Sequence, residues 1–338
     1  MPLRCGSHAA YHLHVRVPVT FSSVTILTVL AASLFAQDRP LEMRFSEGAT
    51  SVFRIQLKVT TRVEGQQAVT IGANGYVKPF VREATATISW AARVRVASFS
   101  AGSASIEEAL DDFQMQSPPS SDQTVDPETV RLQRALQASL LLWASSRTIA
   151  YVESLDGQAT SVPAEAAPDL GEQSPRVLTA WLLRALRPVA VLPAHVLRFD
   201  DHWLEPRSVT LPGWSSTTGS ESGQWLAAAA SKSEVRLHVV QQIDGTVASG
   251  PEKPPEGTAV ARFHSESLST ISLDDARLFK ATRSATREID WTLQPVGGLS
   301  EPPKFNSRLA VEIQIENCDE TPCSNLQSAF RGGAAGAD

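Results

Sequence analysis

The side chains best suited to chemistry lie in Pro193-Ala194-His195-Val196-Leu197-Arg198-Phe199-Asp200-Asp201-His202-Trp203. Two imidazoles and two carboxylates this close together can ligate a divalent metal or form an acid/base pair. His195, Asp200, Asp201 and His202 are therefore the candidate metal set of a metal-assisted hydrolase. Their spacing aligns the two histidines only if the segment is helical. The competing reading takes Phe199–Trp203 as a turn entering a strand, with Trp203 packed and the acids solvated or capping. A second group, Arg283, Arg287 and Trp291, shares one face of an alternating segment with Phe279, Ile289 and Leu293. Two arginines and an indole on an apolar face can bind a ligand, or can lie at a sheet margin with stems packed and heads in water.

The remaining catalytic signatures fail on inspection. Gly213-Trp214-Ser215-Ser216-Thr217 lacks the second glycine of a nucleophile elbow, and Gly219-Ser220-Glu221-Ser222-Gly223 places glutamate where the serine belongs. No G-x-x-x-x-G-K-[ST], G-x-G-x-x-G or H-E-x-x-H occurs, so no cofactor is expected and the chain leans away from being an enzyme. Cys318 and Cys323 flank the turn-forming Asp319-Glu320-Thr321-Pro322. In an oxidising compartment that spacing leads us to expect a local disulfide.

Period-two alternation dominates the scaffold that must position these groups. Phe53, Ile55, Leu57, Val59 and Val63 oppose Arg54, Gln56, Lys58, Thr60 and Arg62; Ile88, Trp90, Ala92, Val94 and Val96 oppose Thr87, Ser89, Arg93 and Arg95. Leu309, Val311, Ile313 and Ile315 alternate with Arg308, Glu312, Gln314 and Glu316. One dry and one wet face is the pattern of antiparallel strands. Further strands are expected at 71–81, 148–153, 235–243, 260–273 and 279–293, with turns at Glu64-Gly65, Asp156-Gly157, Asp244-Gly245 and Leu273-Asp274-Asp275. Segment 213–223 reads as a loop.

Two helices interrupt the pattern. Asp126-Pro127-Glu128 supplies an N-cap and a first-turn proline ahead of Leu132, Leu136, Leu140 and Trp143. Ser174-Pro175 opens the second, with Val177, Leu178, Trp181, Leu182, Ala185 and Leu186 as its apolar stripe and Pro188 at its end. Glu107–Phe113 is expected to add a third, shorter helix. The fold class is α+β, predominantly antiparallel: a large curved sheet or half-barrel with two to three packed helices.

An apolar run from Val17 to Ala36 follows Arg4 and Arg16, precedes the first acid at Asp38 and decays into small residues, as a secretory signal does. Removing residues 1–36 takes 30 Lys+Arg to 28 against 36 Asp+Glu, so the formal charge moves from −6 to −8. That balance disfavours nucleic acid and anionic membranes as partners, and no stable membrane span is expected after cleavage. The expected organisation is a signal peptide at 1–36, a β-rich domain at 37–325 and a disordered tail at 326–338. Within the domain, two β halves (37–116 and 190–325) bridged by a helical segment (126–188) are the alternative to a single unit.

The layout resembles uncharacterised secreted bacterial proteins built on large β-rich envelope domains. The comparable residues are Val191-Leu192-Pro193, Asp201-His202-Trp203, the Leu273–Arg277 hairpin and Phe279–Leu293 within residues 45–316. The resemblance implies a periplasmic or secreted β-rich protein and brings no activity. The expectation is thus an exported, non-catalytic envelope protein that binds an apolar ligand or a protein partner. The alternatives are the metal-assisted hydrolase and a structural envelope component.

Overall fold

In the computed structural model the described residues are 42–71, 74–116, 126–145, 148–163, 166–168, 170, 176–190, 192, 202–207, 214–227, 234–247, 257–272, 275–293 and 303–319. The strands are β1 (Thr50–Ile71), β2 (Asn74–Ser100), β3 (Ser103–Gln116), β4 (Thr148–Ser154), β5 (Ala159–Ser161), β6 (His202–Arg207), β7 (Trp214–Ala227), β8 (Glu234–Val247), β9 (Gly257–Ser272), β10 (Leu278–Leu293) and β11 (Lys304–Asn317). They form one 11-stranded sheet in the order β5-β4-β3-β2-β1-β11-β10-β9-β8-β7-β6, and every neighbouring pair is antiparallel. Both β-rich portions of the sequence therefore belong to one open sheet, joined where β1 pairs with β11.

The alternation read from the sequence sets the two faces. Ile55, Leu57, Val59, Ile88, Trp90, Val311, Ile313 and Ile315 are buried on one. The other carries cross-strand ion pairs: Lys58 Nζ–Glu312 at 2.9 Å, Arg54 Nη1–Asp112 at 2.8 Å and Arg262 Nη1–Asp290 at 2.7 Å. These half-exposed pairs fix register more than they stabilise.

Helix α1 (Pro127–Ala144) starts as its sequence requires, with Asp126 accepting from the Thr129 N–H at 3.3 Å and proline in the first turn. It buries Leu136, Leu140 and Trp143, and Trp143 meets Trp90 edge-on at 5.0 Å. Gln133 turns its side-chain amide to the backbone of Thr85, accepting from its N–H and donating to its C=O, both at 2.9 Å. That exchange imitates a ladder where β2 runs on beyond β3, and so covers an open edge. Helix α2 (Arg176–Ala185) buries Leu178, Trp181, Leu182 and Ala185.

The structure corrects four local expectations. Glu107–Phe113 is not a helix but the middle of β3, where Ala104, Ile106, Glu108 and Leu110 alternate inward. Glu64-Gly65 is not a turn: β1 continues to Ile71, which pairs with Asn74. Asp244-Gly245 likewise stays in register with Arg262 and Ala261. The Gly/Ser-rich stretch around 213–223 falls largely within β7, where the Trp203 ring lies over Gly223; a Cβ there would meet its Cζ2 at 1.8 Å. Asp156-Gly157 does form a turn, with Gly157 at φ +76°.

Because Trp143 carries α1 onto Trp90, Trp143→Ala is expected to cost about 3–5 kcal/mol of unfolding free energy, as for other buried aromatic truncations. Urea denaturation of the full chain checks it.

Candidate functional site

Two places on the fold depart from an apolar core against a charged surface. The first lies where β2, β1, β11 and β10 run side by side towards the β1–β2 hairpin end. The register puts Phe80 opposite Gly65, Gly65 opposite Phe305, and Phe305 opposite Trp291. Alternation puts this row on the same face as Ile55 and Leu57, yet its three rings are half-buried where those residues are fully covered. Gly65 makes the row possible: a Cβ on it would meet Phe305 Cδ1 at 2.5 Å. Phe80 and Phe305 sit 6.1 Å apart, and the Arg82 guanidinium lies 4.9 Å over the Phe80 ring.

These residues line a recess of about 570 Å³ together with Glu64, Gln66, Pro79, Val81, Asp290, Thr292, Lys304 and Asn306. The carboxylates of Glu64 and Asp290, next to the row in sequence, alternate onto the opposite, charged face. Glu64 accepts from Arg62 at 2.8 and 3.1 Å. Asp290 accepts from Arg262 at 2.7 Å and Asn306 at 2.8 Å, which together hold its carboxyl below the ordinary range against partial burial. Lys304 and Asn306 flank Phe305 on β11 and alternate onto that charged face as well.

The second place is a group of ionisable side chains inside the core. Arg283 stands on the dry face of β10 between Ala281 and Ala285, whose small side chains leave room for it. It reaches the end of α2, donating from Nη1 to the carbonyls of Ala185 (2.6 Å), Arg187 (2.8 Å) and Arg184 (3.5 Å), and from Nη2 to that of Val189. A cation at a helix C-terminus satisfies the orphan carbonyls and the negative end of the dipole. Burial, with Arg187 nearby, holds this guanidinium down to about 9. Arg187 itself is buried, with Nε donating to Leu183 O at 3.1 Å and Nη1 3.7 Å from Glu153. Tyr151 donates to Glu108 at 3.5 Å beneath it. A cavity of about 10 Å³, room for about one water, separates Trp90, Glu108, Trp143, Tyr151 and Arg187.

Of the residues read from sequence, Trp291 lies in the recess. Arg287 is on the same face, buried, donating to Ser307 Oγ at 3.4 Å. Arg283 is further along β10 at the α2 terminus. His202 is exposed at the start of β6 and meets Gln224 across the β6–β7 pair, with 3.2 Å between Nε2 atoms. His195, Asp200 and Asp201 lie outside the described residues, as does Cys323. Among the described residues no three His, Cys, Asp or Glu side chains converge on a metal position. Sequence reading missed Phe80, Gly65 and Phe305, whose signal is register across three strands, and missed the buried Glu108, Glu153 and Arg187, which look like ordinary wet-face charges in the chain.

No protein-family model matches the sequence, and no curated protein matches it. Among solved structures the chain is similar to lipovitellin, in a structure concerned with lipid–protein interactions: 11% identity, 83% of this chain, 26% of that one, TM-score 0.32. It thus spans about a quarter of that protein. It is also similar to the secretin InvG of the Salmonella SPI-1 type III secretion injectisome in its open gate state, at 8% identity, 94% of this chain, 72% of that one and a TM-score of 0.15. The InvG secretin β-barrel domain matches at 12% identity, 91% of this chain, 71% of that one and a TM-score of 0.13. Overlap this loose carries no argument about family or function.

The Arg283 geometry makes its own forecast. Arg283→Met strands buried carbonyls at the end of α2, so the unfolding free energy is expected to fall by about 3 kcal/mol, read by chemical denaturation.

Proposed function

We propose that this protein binds an elongated apolar or amphipathic ligand along the Phe80–Gly65–Phe305–Trp291 row, without catalysis, outside the cytoplasm. One observation carries the reading: three half-buried rings in register on a face whose central rows are closed, lining a recess of about 570 Å³. Small-molecule sites have that size and that mixture of aromatic surface with a few polar groups. Within the ligand set read from sequence, Trp291 would touch the ligand, Arg287 would support the floor through Ser307, and Arg283 would act at a distance by fixing α2.

Quenching of tryptophan fluorescence by a brominated C16 fatty acid tests this. Saturable quenching is expected in the wild type. It should shrink in Trp291→Phe, and binding should weaken by about tenfold in Phe305→Ala, roughly the worth of one aromatic contact. Quenching that is absent, or unchanged in Trp291→Phe, would overturn the assignment of the recess.

A partner protein is the second reading, favoured by Val77 and Val81, which are exposed on β2 on the opposite face of the sheet from the row. Export belongs to the same proposal. Among the described residues no helix is long and apolar enough to cross a membrane. Protein recovered from the periplasm of an expressing cell is expected to begin near residue 37 or 34. Its intact mass should lie two hydrogens below the reduced chain if Cys318 and Cys323 are bridged. An intact N-terminus or a fully reduced mass would count against it.

A further inference from the structure

The least ordinary feature of the core is its ionic group, which the ligand site does not use. Glu108, Tyr151, Glu153, Arg187 and Arg283 are all buried, and they come from four places: β3, β4, the segment after α2, and β10. A permanent buried salt bridge needs tight geometry and full hydrogen bonding to offset desolvation. Here Arg187 and Glu153 stand 3.7 Å apart. Both carboxylate oxygens of Glu153 and both terminal nitrogens of Arg187 lack hydrogen-bond partners. So do the indole N–H groups of Trp90 and Trp143 beside the small cavity. Such looseness suits groups that are not held as a fixed ion pair.

The group also sits at the attachment of α2. Arg187 follows the helix directly, and Arg283 holds its last carbonyls. A ten-residue helix is too short to persist in water without docking, so what happens to the cluster decides whether α2 stays formed. We propose that Glu108, Tyr151, Glu153, Arg187 and Arg283 form a pH-operated latch. It keeps α2 and the chain up to Leu192 closed on the core face in acid and loosens them as pH rises.

The direction follows from burial. Desolvation pushes Glu108 up to about 7, against the pull of Arg187 and the Tyr151 hydrogen bond. It pushes Glu153 up to about 8, with Arg187 and Arg283 opposing and Glu108 and Asp156 assisting. Each carboxyl therefore holds its proton more firmly folded than unfolded. Stability from the pair is full below the ordinary carboxylate range of about 4.5 and is lost as pH climbs through 7 to 8. Ionised, the two acids need water, and water reaches them when α2 lifts.

Hydrogen exchange of the full chain reads this directly. Peptides covering 176–190 are compared at about pH 5.5 and about pH 8, with labelling times scaled for intrinsic exchange, and β1 and β11 peptides as the internal reference. Opening of 176–190 is expected to be about tenfold or more favourable at the higher pH, one pKa unit of linkage or more, with the reference unmoved. Glu108→Gln should cut the difference, and Glu108→Gln with Glu153→Gln should abolish it. Should the double variant fail to fold, the single variant against the wild type still decides. Equal protection of 176–190 at both pH values, a change shared by β1 and β11, or a pH effect undiminished in Glu108→Gln would each overturn the latch.

Discussion

The pairing of β1 with β11 is the interaction on which the rest of the sheet depends. Every other ladder joins strands that follow one another in the chain, whereas β1 and β11 meet from opposite ends of the domain, Phe53 against Asn317 through to Gly65 against Phe305. Closing a loop of about 250 residues costs roughly 5 kcal/mol of chain entropy. It is offset along the ladder itself, where Ile55, Leu57, Val59, Val311, Ile313 and Ile315 are almost wholly removed from water. At about 1.5–3 kcal/mol for each fully buried aliphatic side chain, that stripe outweighs the closure cost. So distant a contact also makes folding slow, and it leaves strand edges exposed until it forms. The short outer strands β5 and β6, and the Gln133 amide on Thr85, limit what those edges can pair with.

Once the ladder is closed, dry-face positions in its central rows admit polar groups only with partners. Arg283 occupies such a position in the row Ile88–Leu57–Ile313–Arg283. It is tolerated because α2 ends above it and presents carbonyls that nothing within the helix can satisfy. The helix and the arginine thus require one another. The carboxyls of Glu108 and Glu153 lie under the same element without an equally tight set of donors, which is why burial rather than pairing governs their protons.

Much of this architecture was legible in the chain. Alternation located β1, β2, β4 and β8 to β11, because a strand with one dry face writes its geometry directly into residue order. The caps at Asp126 and the proline at 188 located the helices for a similarly local reason. Glu64-Gly65 and Asp244-Gly245 misled because a turn dipeptide is only permissive: glycine allows a bend but does not force one, and at Gly65 its missing side chain serves the Phe305 ring instead. Glu107–Phe113 misled because Leu110 and Phe113 mimic helical spacing while Ala104, Ile106, Glu108 and Leu110 obey the strand period. The recess was illegible for a different reason. Phe80, Gly65, Phe305 and Trp291 are separated by 15, 240 and 14 positions in sequence order of pairing, and no local pattern relates them.

The position of the aromatic row explains why this part of the dry face stays accessible. Moving along the four central strands, rows such as Trp90–Ile55–Ile315–Ala281 lie beneath buried side chains and are closed. The Phe80 row is the last that spans all four strands: β11 begins at Lys304 and β10 ends at Leu293, while β1 and β2 run on together to Ile71 and Asn74. Past this row the sheet narrows to a two-stranded ribbon, which cannot bury a face by itself. Aromatic residues are therefore placed where four strands become two, and Gly65 clears the space between them. A core position at that boundary would be filled with aliphatic volume, and a solvent position with charge. Rings that are half-covered and spaced around a glycine serve neither end well, and are better suited to surface that is completed by something bound.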